Sequence, residues 1–347
     1  MKLLRRVTAV GLLARLHAAP VSILPFLIGI FIRGVPAWPR VLTFSLLGLT
    51  LHVFACALND AVDLPSDRRN PNRARSPLVT GALARSTAYL VALFGSLSYL
   101  GLAVGMFGST WLLPIALLIL ILQAYANACQ KISRVGPLPI DLLFGVAMGT
   151  PVLLGAFSSP RQYATVAILF SAGLSMQMAC LNVVGGNLKD LAADLSVGAR
   201  TTAIDFGVRP SSDPRFAVFT SRYMRLVWTL ELCGGGLLLA TTLVGAPSTH
   251  VKVISSLVLM ALLTISIWDL ERMRCMARPS ALGGRELFIL ANVFSLYVLT
   301  GILGGIESAT LMFALSVGSA CVVRGVMHEL VVTTRRLDAA TTKTESR

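Results

Sequence analysis

Acidic residues cluster at two points of a sequence that is otherwise poor in charge. Asp60, Asp63 and Asp67 follow one another at spacings of three and four residues, so a continuous helix presents them on one face. Asp190 and Asp194 lie one helical turn apart in the same way. Carboxylates held this close repel one another, and a bound divalent cation is the usual remedy. Basic residues and a glycine-containing polar loop follow each cluster, so the two places together are suited to a magnesium diphosphate.

The composition indicates which elements must position these acids. The chain has 347 residues, of which 55% are hydrophobic and 13% are charged, with 30 Lys and Arg against 16 Asp and Glu. A soluble domain carries about 25% charged residues, so the composition excludes an ordinary soluble enzyme and a disordered chain. The excess of positive charge does not indicate nucleic acid as a partner, because too little polar sequence is present to display a basic surface. The composition is typical of a polytopic protein of the lipid bilayer.

Apolar runs long enough to cross a membrane recur along the whole chain. A crossing helix needs roughly 20 mainly apolar residues. The segments that meet this requirement are 17–34, 41–59, 86–107, 110–127, 139–158, 163–186, 226–246, 251–270, 286–305 and 308–327. Very few residues separate the last two segments. We therefore predict an all-α, polytopic transmembrane helical bundle of nine or ten spans.

The basic residues predict the orientation of this bundle. With the N-terminus placed inside, only four of the 30 basic residues fall in loops on the opposite side: Arg33, Arg40, Arg161 and Lys252. Lys and Arg accumulate on the cytoplasmic side of membrane proteins, so both termini and both acidic clusters are predicted to be cytoplasmic. We expect a multi-pass integral protein of a bacterial plasma membrane. Its predicted parts are an N-terminal segment, one transmembrane domain and a polar tail: 1–16, 17–327 and 328–347.

The N-terminal segment permits two interpretations. Leu3, Leu4, Val7 and Val10 lie on one side of a helix drawn through it, so residues 1–16 are consistent with a short amphipathic helix on the inner membrane surface. A frayed tail is equally consistent with the sequence. Both interpretations are open at this point.

The acidic motifs resemble those of a known family. Asn59 directly precedes the first cluster and completes the pattern NDxxDxxxD, while the second cluster forms DxxxD. These patterns, at the ends of the second and sixth predicted spans, resemble the paired motifs of the UbiA family of intramembrane prenyltransferases. Residues 72–81 are similar to the RPL..G segment of that family, with Ser76 inserted between its arginine and its proline, and residues 194–207 are similar to the continuation of its DxxxD motif.

The resemblance implies a fold and a reaction. It implies a helical bundle around a central cavity that opens toward lipid and is capped by the two acid-bearing cytoplasmic loops. It also implies a magnesium-dependent enzyme that ionises an allylic isoprenyl diphosphate and transfers the prenyl group to an aromatic or lipid acceptor. Two features depart from the family pattern. Family members usually have nine spans, and many carry a charged residue where this chain has Gly186.

The resemblance also assigns roles to particular residues. The expected ligands of Mg²⁺ are Asp60, Asp63, Asp67, Asp190 and Asp194. The expected catalytic residues add a Tyr/Lys pair, similar to one that the family carries after its fourth helix, and are Asp63, Asp190, Asp194, Tyr125 and Lys131. The expected substrate-binding residues are Asn59, Arg68, Arg75, Asn187, Lys189 and Arg200. Basic side chains would stabilise the charge that builds on the departing diphosphate. Tyr125 would either face the allylic cation with its ring or lie at the membrane interface.

Two other functions are open. In a terpene cyclase of the same family, double bonds of the prenyl substrate itself attack the cation, and no acceptor is needed. A non-catalytic transporter would use the acids as ion ligands. A cyclase needs aromatic side chains around the cavity near the acids, whereas a transferase needs a second, polar pocket. A transporter more often carries acids at mid-membrane, and only Glu231 is a candidate for such a position.

Two further acids receive local interpretations. Glu231 follows the predicted inner boundary of the seventh span by a turn or two, so it either contacts an acceptor in the cavity or pairs with Arg222 or Arg225. The second interpretation is preferred. Asp141 begins the fifth predicted span, where a carboxylate interacts favourably with the helix dipole.

Overall fold

A computed structural model gives the fold and describes residues 2–32, 34–129, 135–158, 163–211, 217–275, 286–315 and 321–333. These residues are overwhelmingly helical, which confirms the predicted all-α class. The helices are α1 (Lys2–Leu13), α2 (Pro20–Phe31), α3 (Trp38–Asp67), α4 (Arg85–Phe107), α5 (Leu113–Cys129), α6 (Pro137–Phe157), α7 (Ala164–Leu181), α8 (Asn187–Lys189), α9 (Leu191–Ser196), α10 (Thr202–Asp205), α11 (Ser221–Gly245), α12 (Thr249–Cys275), α13 (Glu286–Gly304) and α14 (Ile306–Phe313). Residues 321–333 are also helical.

Short elements connect some of these helices. Two 3₁₀ turns, Leu16–Ala18 and Pro71–Arg73, follow α1 and α3, and a π-helical turn, Asn182–Gly186, joins α7 to α8. An antiparallel pair of two-residue strands, β1 (Arg209–Pro210) and β2 (Ala217–Val218), precedes α11. Within the described residues these are the only strands.

Six helices are long and apolar enough to cross a membrane. They are α3, α4, α6, α7 with its continuation to Lys189, α11, and α12 as far as Glu271. A seventh span results if α1 and α2, which are bent by 45°, are taken together, while α5 is apolar but shorter. These helices agree with a multi-pass membrane protein. The count of nine or ten spans stays a prediction, as do the orientation and the domain boundaries. The last predicted span, 308–327, includes residues 316–320, which lie outside the described ranges.

Helix α3 carries the first acidic cluster on an uninterrupted backbone. It continues past Pro65 and ends at Asp67, so all three acids belong to one helix. Proline has no N–H to donate to the carbonyl four residues earlier, and here that carbonyl belongs to Ala61. The side chain of Arg85 replaces the missing donor, because its Nε donates to Ala61 O at 2.9 Å. The chain therefore completes the helix across a residue that would otherwise break it.

Helix α6 is at the centre of the bundle. It packs against α7, α2 and α5, while α3 packs against α2 and α4, and α11 packs against α7. Small residues permit the closest approach. A Cβ atom added to Gly29 of α2 would lie 2.9 Å from the Cα atom of Gly155 on α6. Such contacts between small residues are common where membrane helices pack backbone to backbone.

The N-terminal segment is helical rather than frayed. Its last turn enters the bundle, because Leu13 and Ala14 are buried. Leu3 and Val7, in contrast, are exposed. The interpretation as a short helix is thus confirmed, and the end of that helix belongs to the packed interior.

A cavity between two acidic segments

A cavity of about 250 Å³ lies where α3 and α7 end. Side chains of α3 form one wall and the segment from the π turn to α9 forms another. Six of the predicted site residues line it: Asn59, Asp63, Asn187, Lys189, Asp190 and Asp194. The structure thus brings the two acidic motifs together, although about 130 residues separate them in the chain.

Hydrogen bonds hold the two acidic segments next to each other. The hydroxyl of Ser66 donates to Oδ1 of Asp194 at 2.7 Å, and Nδ2 of Asn70 donates to Oδ1 of Asp190 at 2.6 Å. Arg69 adds a hydrogen bond to the carbonyl oxygen of Ser196. These three donors belong to the end of α3 and the residues directly after it, and Lys189 adds an ion pair with Asp190 at 3.9 Å.

The π turn owes its position to a carboxylate on another helix. Asp141 of α6 is buried, and its Oδ1 accepts a hydrogen bond from Nδ2 of Asn182 at 2.8 Å. Its Oδ2 accepts from Nδ2 of Asn187 at 3.0 Å and from the hydroxyl of Thr202 at 2.5 Å. The prediction that Asp141 begins its helix and interacts with the helix dipole was wrong, because α6 begins at Pro137 and Asp141 lies beyond its first turn. It anchors both ends of a widened turn, a feature frequent at functional sites, and Asn182, Gly186 and Asn187 all line the cavity.

Two arginines reach the acidic motif from other segments. Arg15, between α1 and α2, donates to Oδ1 of Asp60. Arg73 lies 3.6 Å from Oδ1 of Asp67, measured from its Nε. Both arginines line the cavity, whereas Asp60 and Asp67 do not. Neither arginine is among the site residues predicted from the sequence. Arg73 falls in the stretch that resembles the RPL..G segment, but no sequence pattern marks Arg15.

Four of the predicted site residues lie away from this cavity. Tyr125 is 41% exposed and does not line it, and Arg68 and Arg75 are exposed beyond the end of α3. Arg200 is exposed and forms an ion pair with Asp205, with 2.6 Å between Nη2 and Oδ2. The hydrogen bond to Asp205 raises the pKa of Arg200, so its guanidinium stays charged. The roles of these residues stay predictions, and a fifth candidate, Lys131, lies outside the described residues.

The rest of the cavity wall is partly polar. Nε2 of His52 lies 3.1 Å from the carbonyl oxygen of Arg15, which can only accept, so Nε2 is the donor. Nδ1 then accepts from the hydroxyl of Ser22 at 3.0 Å. Gln123 and Asn127 of α5 form a hydrogen-bonded amide pair. The remaining polar wall is thus neutral, and the apolar lining residues include Ala18, Val21, Phe144 and Met148.

The oxygen donors fit the predicted magnesium ion in kind. Asn59 and Asp63 on one wall and Asp190 and Asp194 on the other offer hard oxygen ligands, and Mg²⁺ is typically bound by one or two carboxylates together with phosphate oxygens and waters. Across the described ranges, no group of three His, Cys, Asp or Glu side chains could hold a metal ion by itself.

The sequence profile of the UbiA prenyltransferase family matches residues 22–281. The chain belongs to this family. The matched region contains both acidic motifs and all cavity-lining residues except Arg15, Ala18 and Val21. No curated protein sequence matches the chain significantly.

Solved structures of UbiA homologues share this fold. A homologue from Archaeoglobus fulgidus, bound to GPP and Mg²⁺, superimposes with a TM-score of 0.65 at 16% identity over 86% of this chain and 99% of that one. Digeranylgeranylglyceryl phosphate synthase gives 0.62 at 13% identity over 87% and 99%. The apo form of a homologue from Aeropyrum pernix K1 gives 0.56 at 19% identity over 84% and 96%. The TM-scores show a shared fold, and identities this low limit the similarity to the fold.

The surroundings of Glu231 differ from those predicted from the sequence. It does not line the cavity, and it pairs with neither Arg222 nor Arg225. It is buried, and its hydrogen bonds come from Ser266 and Asn292 on α12 and α13. Both predicted contacts were wrong, because the helix presents this residue to neighbouring helices rather than to the cavity or the membrane surface.

Proposed function

We propose that this member of the UbiA family is a magnesium-dependent intramembrane prenyltransferase that ionises an allylic isoprenyl diphosphate. The prenyl group passes to an aromatic or lipid acceptor. The observation that carries this proposal is the meeting of Asp63 with Asp190 and Asp194 across one cavity, with Arg15 and Arg73 on its wall. A homologue of the same fold is bound to GPP and Mg²⁺, which supports the same pairing of ligand and metal here.

The acids divide by position. Asp63, Asp190 and Asp194 line the cavity and are the first candidates to hold Mg²⁺, with Asn59 as a neutral oxygen ligand. A bound magnesium ion would neutralise the diphosphate and make it a better leaving group. Asp60 and Asp67 were also predicted as ligands, but each forms an ion pair with an arginine. Either carboxylate would bind Mg²⁺ only after its arginine moves to the diphosphate.

Three basic side chains stand where a diphosphate would lie. Arg15, Arg73 and Lys189 line the cavity beside the acids. Arginine binds phosphate oxygens through two parallel N–H groups, whereas lysine supplies a compact positive charge. When the carbon–oxygen bond of the substrate breaks, its electron pair stays on the diphosphate, and these cations stabilise that charge. Lys131, Arg68, Arg75 and Arg200 remain further candidates from the sequence.

The wall beyond the acids favours a transferase over a cyclase. It offers neutral polar groups on Ser22, His52, Gln123 and Asn127, and among the described lining residues Phe144 is the one Phe, Tyr or Trp. A cyclase would need aromatic rings to stabilise successive cations. Polar groups at this place suit a second substrate that presents hydrogen-bonding atoms. The apolar side chains of the same wall would exclude water from the allylic cation.

We infer that the cavity opens toward the cytoplasm of a bacterial plasma membrane. The support is the distribution of Lys and Arg along the sequence, which places both acidic motifs and both termini on the cytoplasmic side. The same inference includes nine or ten spans in a single transmembrane domain, 17–327, followed by a polar tail.

Diphosphate release tests the proposed reaction. The purified protein is supplied with Mg²⁺ and geranylgeranyl diphosphate, with and without candidate acceptors. Asp63→Asn and Asp190→Asn are expected to lower release about 100-fold or more, as is removal of Mg²⁺ by a chelator. Asp205→Asn, outside the cavity, is the matched control and should retain activity. Undiminished release in both cavity variants would contradict the proposal.

The same assay separates transferase from cyclase. A transferase yields a prenylated acceptor and no cyclic hydrocarbon when the acceptor is left out. Detection of a cyclic hydrocarbon from geranylgeranyl diphosphate and Mg²⁺ alone would replace the transferase with the cyclase. Products are identified by gas chromatography and mass spectrometry.

A further inference from the structure

A second, much smaller cavity lies inside the bundle, between α7, α11, α12 and α13. Its volume is about 10 Å³, which is close to the least space, about 10–15 Å³, that holds one water molecule. Its polar lining residues are Gln177, Glu231, Asn292 and Ser295, and the rest of its lining is leucine and glycine. It shares no lining residue with the acid-lined cavity of the proposed reaction.

Glu231 is buried there among neutral groups. Glu231 is 1% exposed. Its Oε1 accepts hydrogen bonds from the hydroxyl of Ser266 at 2.6 Å and from Nδ2 of Asn292 at 3.3 Å. The thiol of Cys180 is its other polar neighbour. A carboxylate in such surroundings carries a heavy desolvation penalty unless a positive charge compensates it.

Two oxygen atoms on residues that line this cavity have no hydrogen-bond donor. They are Oε2 of Glu231 and Oε1 of Gln177, and both are buried. Gln177 is 3% exposed and approaches from α7, whereas Glu231 approaches from α11. Two buried acceptors without donors, on opposite helices of one small cavity, indicate a ligand that is positively charged or donates to both.

We propose that this cavity binds a single monovalent cation of about the size of sodium. Oε2 of Glu231 and Oε1 of Gln177 are its ligands, and Asn292 and Ser295 lie beside it. Hard cations prefer carboxylate, amide and hydroxyl oxygens, and these are the groups present. A water molecule would satisfy both oxygens but would not compensate the charge of an ionised Glu231. A larger organic cation or a hydrated divalent ion does not fit the volume.

The cation would join α7 to the helices that follow it. Helix α7 continues through the π turn to the segment that carries Asp190 and Asp194. An ion held between Gln177 and Glu231 therefore stabilises the packing of that helix against α11. Its binding free energy adds to the stability of the folded state, because the unfolded chain has no such site.

Thermal unfolding tests the cation site without any enzymatic assay. The full chain is purified in detergent with choline chloride as the only salt, and choline is replaced stepwise by NaCl or KCl at constant ionic strength. We expect sodium to raise the Tm by several degrees, saturably and more than potassium. Glu231→Gln should abolish this response, and Gln177→Met should raise the half-saturating sodium concentration at least tenfold. The exposed Glu307 provides the control Glu307→Gln, which should respond like the parent protein.

Two results would overturn the proposal. One is a parent protein whose Tm is the same in sodium, potassium and choline. The other is an unaltered sodium response in Glu231→Gln. If Glu231→Gln does not fold, Gln177→Met decides alone, because an unchanged half-saturating concentration in that variant also overturns the site. Diphosphate release takes no part in the measurement, so failure here is distinct from failure of the proposed reaction.

Discussion

Arg15 donates a hydrogen bond from its guanidinium to Oδ1 of Asp60, and thereby joins the turn after α1 to the last part of α3. Asp60 is buried, and its charge is compensated by this arginine within the protein itself. The backbone of Arg15 has φ 46° and ψ 43°, and among the described residues it is the one non-glycine residue with positive φ. A conformation of this kind costs roughly 1–2 kcal/mol, so the surrounding contacts must favour it. Asp60 thus pairs with this arginine, whereas Asp63 lines the cavity.

Asparagine variants of α3 should therefore differ in activity. Asp63→Asn removes a carboxylate from the cavity wall, and we expect diphosphate release to fall about 100-fold or more. Asp60→Asn changes a residue that does not line the cavity and leaves Arg15 a polar partner. It should reduce diphosphate release by about tenfold or less. Initial rates at saturating Mg²⁺ provide the comparison. Equal losses in two folded variants would mean that Asp60 leaves Arg15 and acts as a metal ligand.

Removal of Arg15 should affect stability more than removal of a surface arginine. Arg15→Ala leaves Asp60 as a buried, uncompensated carboxylate, which typically destabilises a protein by about 3–5 kcal/mol. Adding Asp60→Asn to that variant should restore a large part of the loss, because the charge is then gone. Equilibrium unfolding in mixed detergent micelles measures both changes. Arg200→Ala is the control, since its ion pair with Asp205 is exposed and should contribute little. Additive losses from the two substitutions would show that the pair is not coupled.

The sequence predicts the pairing of motifs but not the direction of each side chain. Acids at the ends of the second and sixth spans lie at the same membrane face if both spans end there, and the structure places Asp63, Asp190 and Asp194 on one cavity. The spacing of the first cluster, however, predicts a shared face for its three acids. Instead, Asp60 pairs with Arg15 and Asp67 with Arg73, and neither acid lines the cavity. Both arginines approach from separate turns, and contacts between distant segments leave no periodicity in a sequence.

The contacts of buried polar residues were the hardest feature to predict from the sequence, for the same reason. A lone carboxylate in an apolar run is compatible with a cavity, a headgroup or a neighbouring helix. Asp141 holds Asn182, Asn187 and Thr202, and Glu231 accepts from residues on α12 and α13. The choice depends on helix rotation within the bundle, which is determined by packing rather than by the local sequence.

Asp141 should act on catalysis through the residues that it positions. Asp141→Asn preserves the shape of the side chain but replaces one acceptor oxygen with a donor, so Asn182, Asn187 and Thr202 can no longer all be satisfied. Outer partners of this kind are typically worth 10–100-fold in metal affinity or activity. We expect the Mg²⁺ concentration for half-maximal diphosphate release to rise by about tenfold or more, while the Tm changes little.

The Mg²⁺ dependence distinguishes this role from a purely structural one. Asp141→Glu keeps the charge and should recover part of the Mg²⁺ affinity, whereas Asp205→Asn should leave it unchanged. A variant Asp141→Asn that loses stability in proportion to its activity, with no change in its Mg²⁺ requirement, would show that Asp141 serves the fold alone.

The contact between Gly29 and Gly155 should tolerate no added methyl group. A Cβ atom on Gly29 would lie 2.3 Å from the carbonyl oxygen of Val152, and one on Gly155 would lie 2.7 Å from that of Phe26. Both obstacles are backbone atoms of a packed helix, so α2 and α6 must separate to admit either side chain. Overpacking of this kind typically costs about 1–3 kcal/mol, and each alanine variant should lower the Tm by several degrees.

Helix α4 offers the matched control for these glycines. Gly101 is exposed, and an added Cβ there meets no atom within 4 Å. Since alanine favours the helical backbone over glycine by up to about 1 kcal/mol, Gly101→Ala should leave the Tm unchanged or raise it. Thermal unfolding of the three variants in one detergent makes the comparison. If Gly29→Ala and Gly155→Ala unfold at the same temperature as Gly101→Ala, then α2 and α6 do not pack as closely in the folded protein as these distances require.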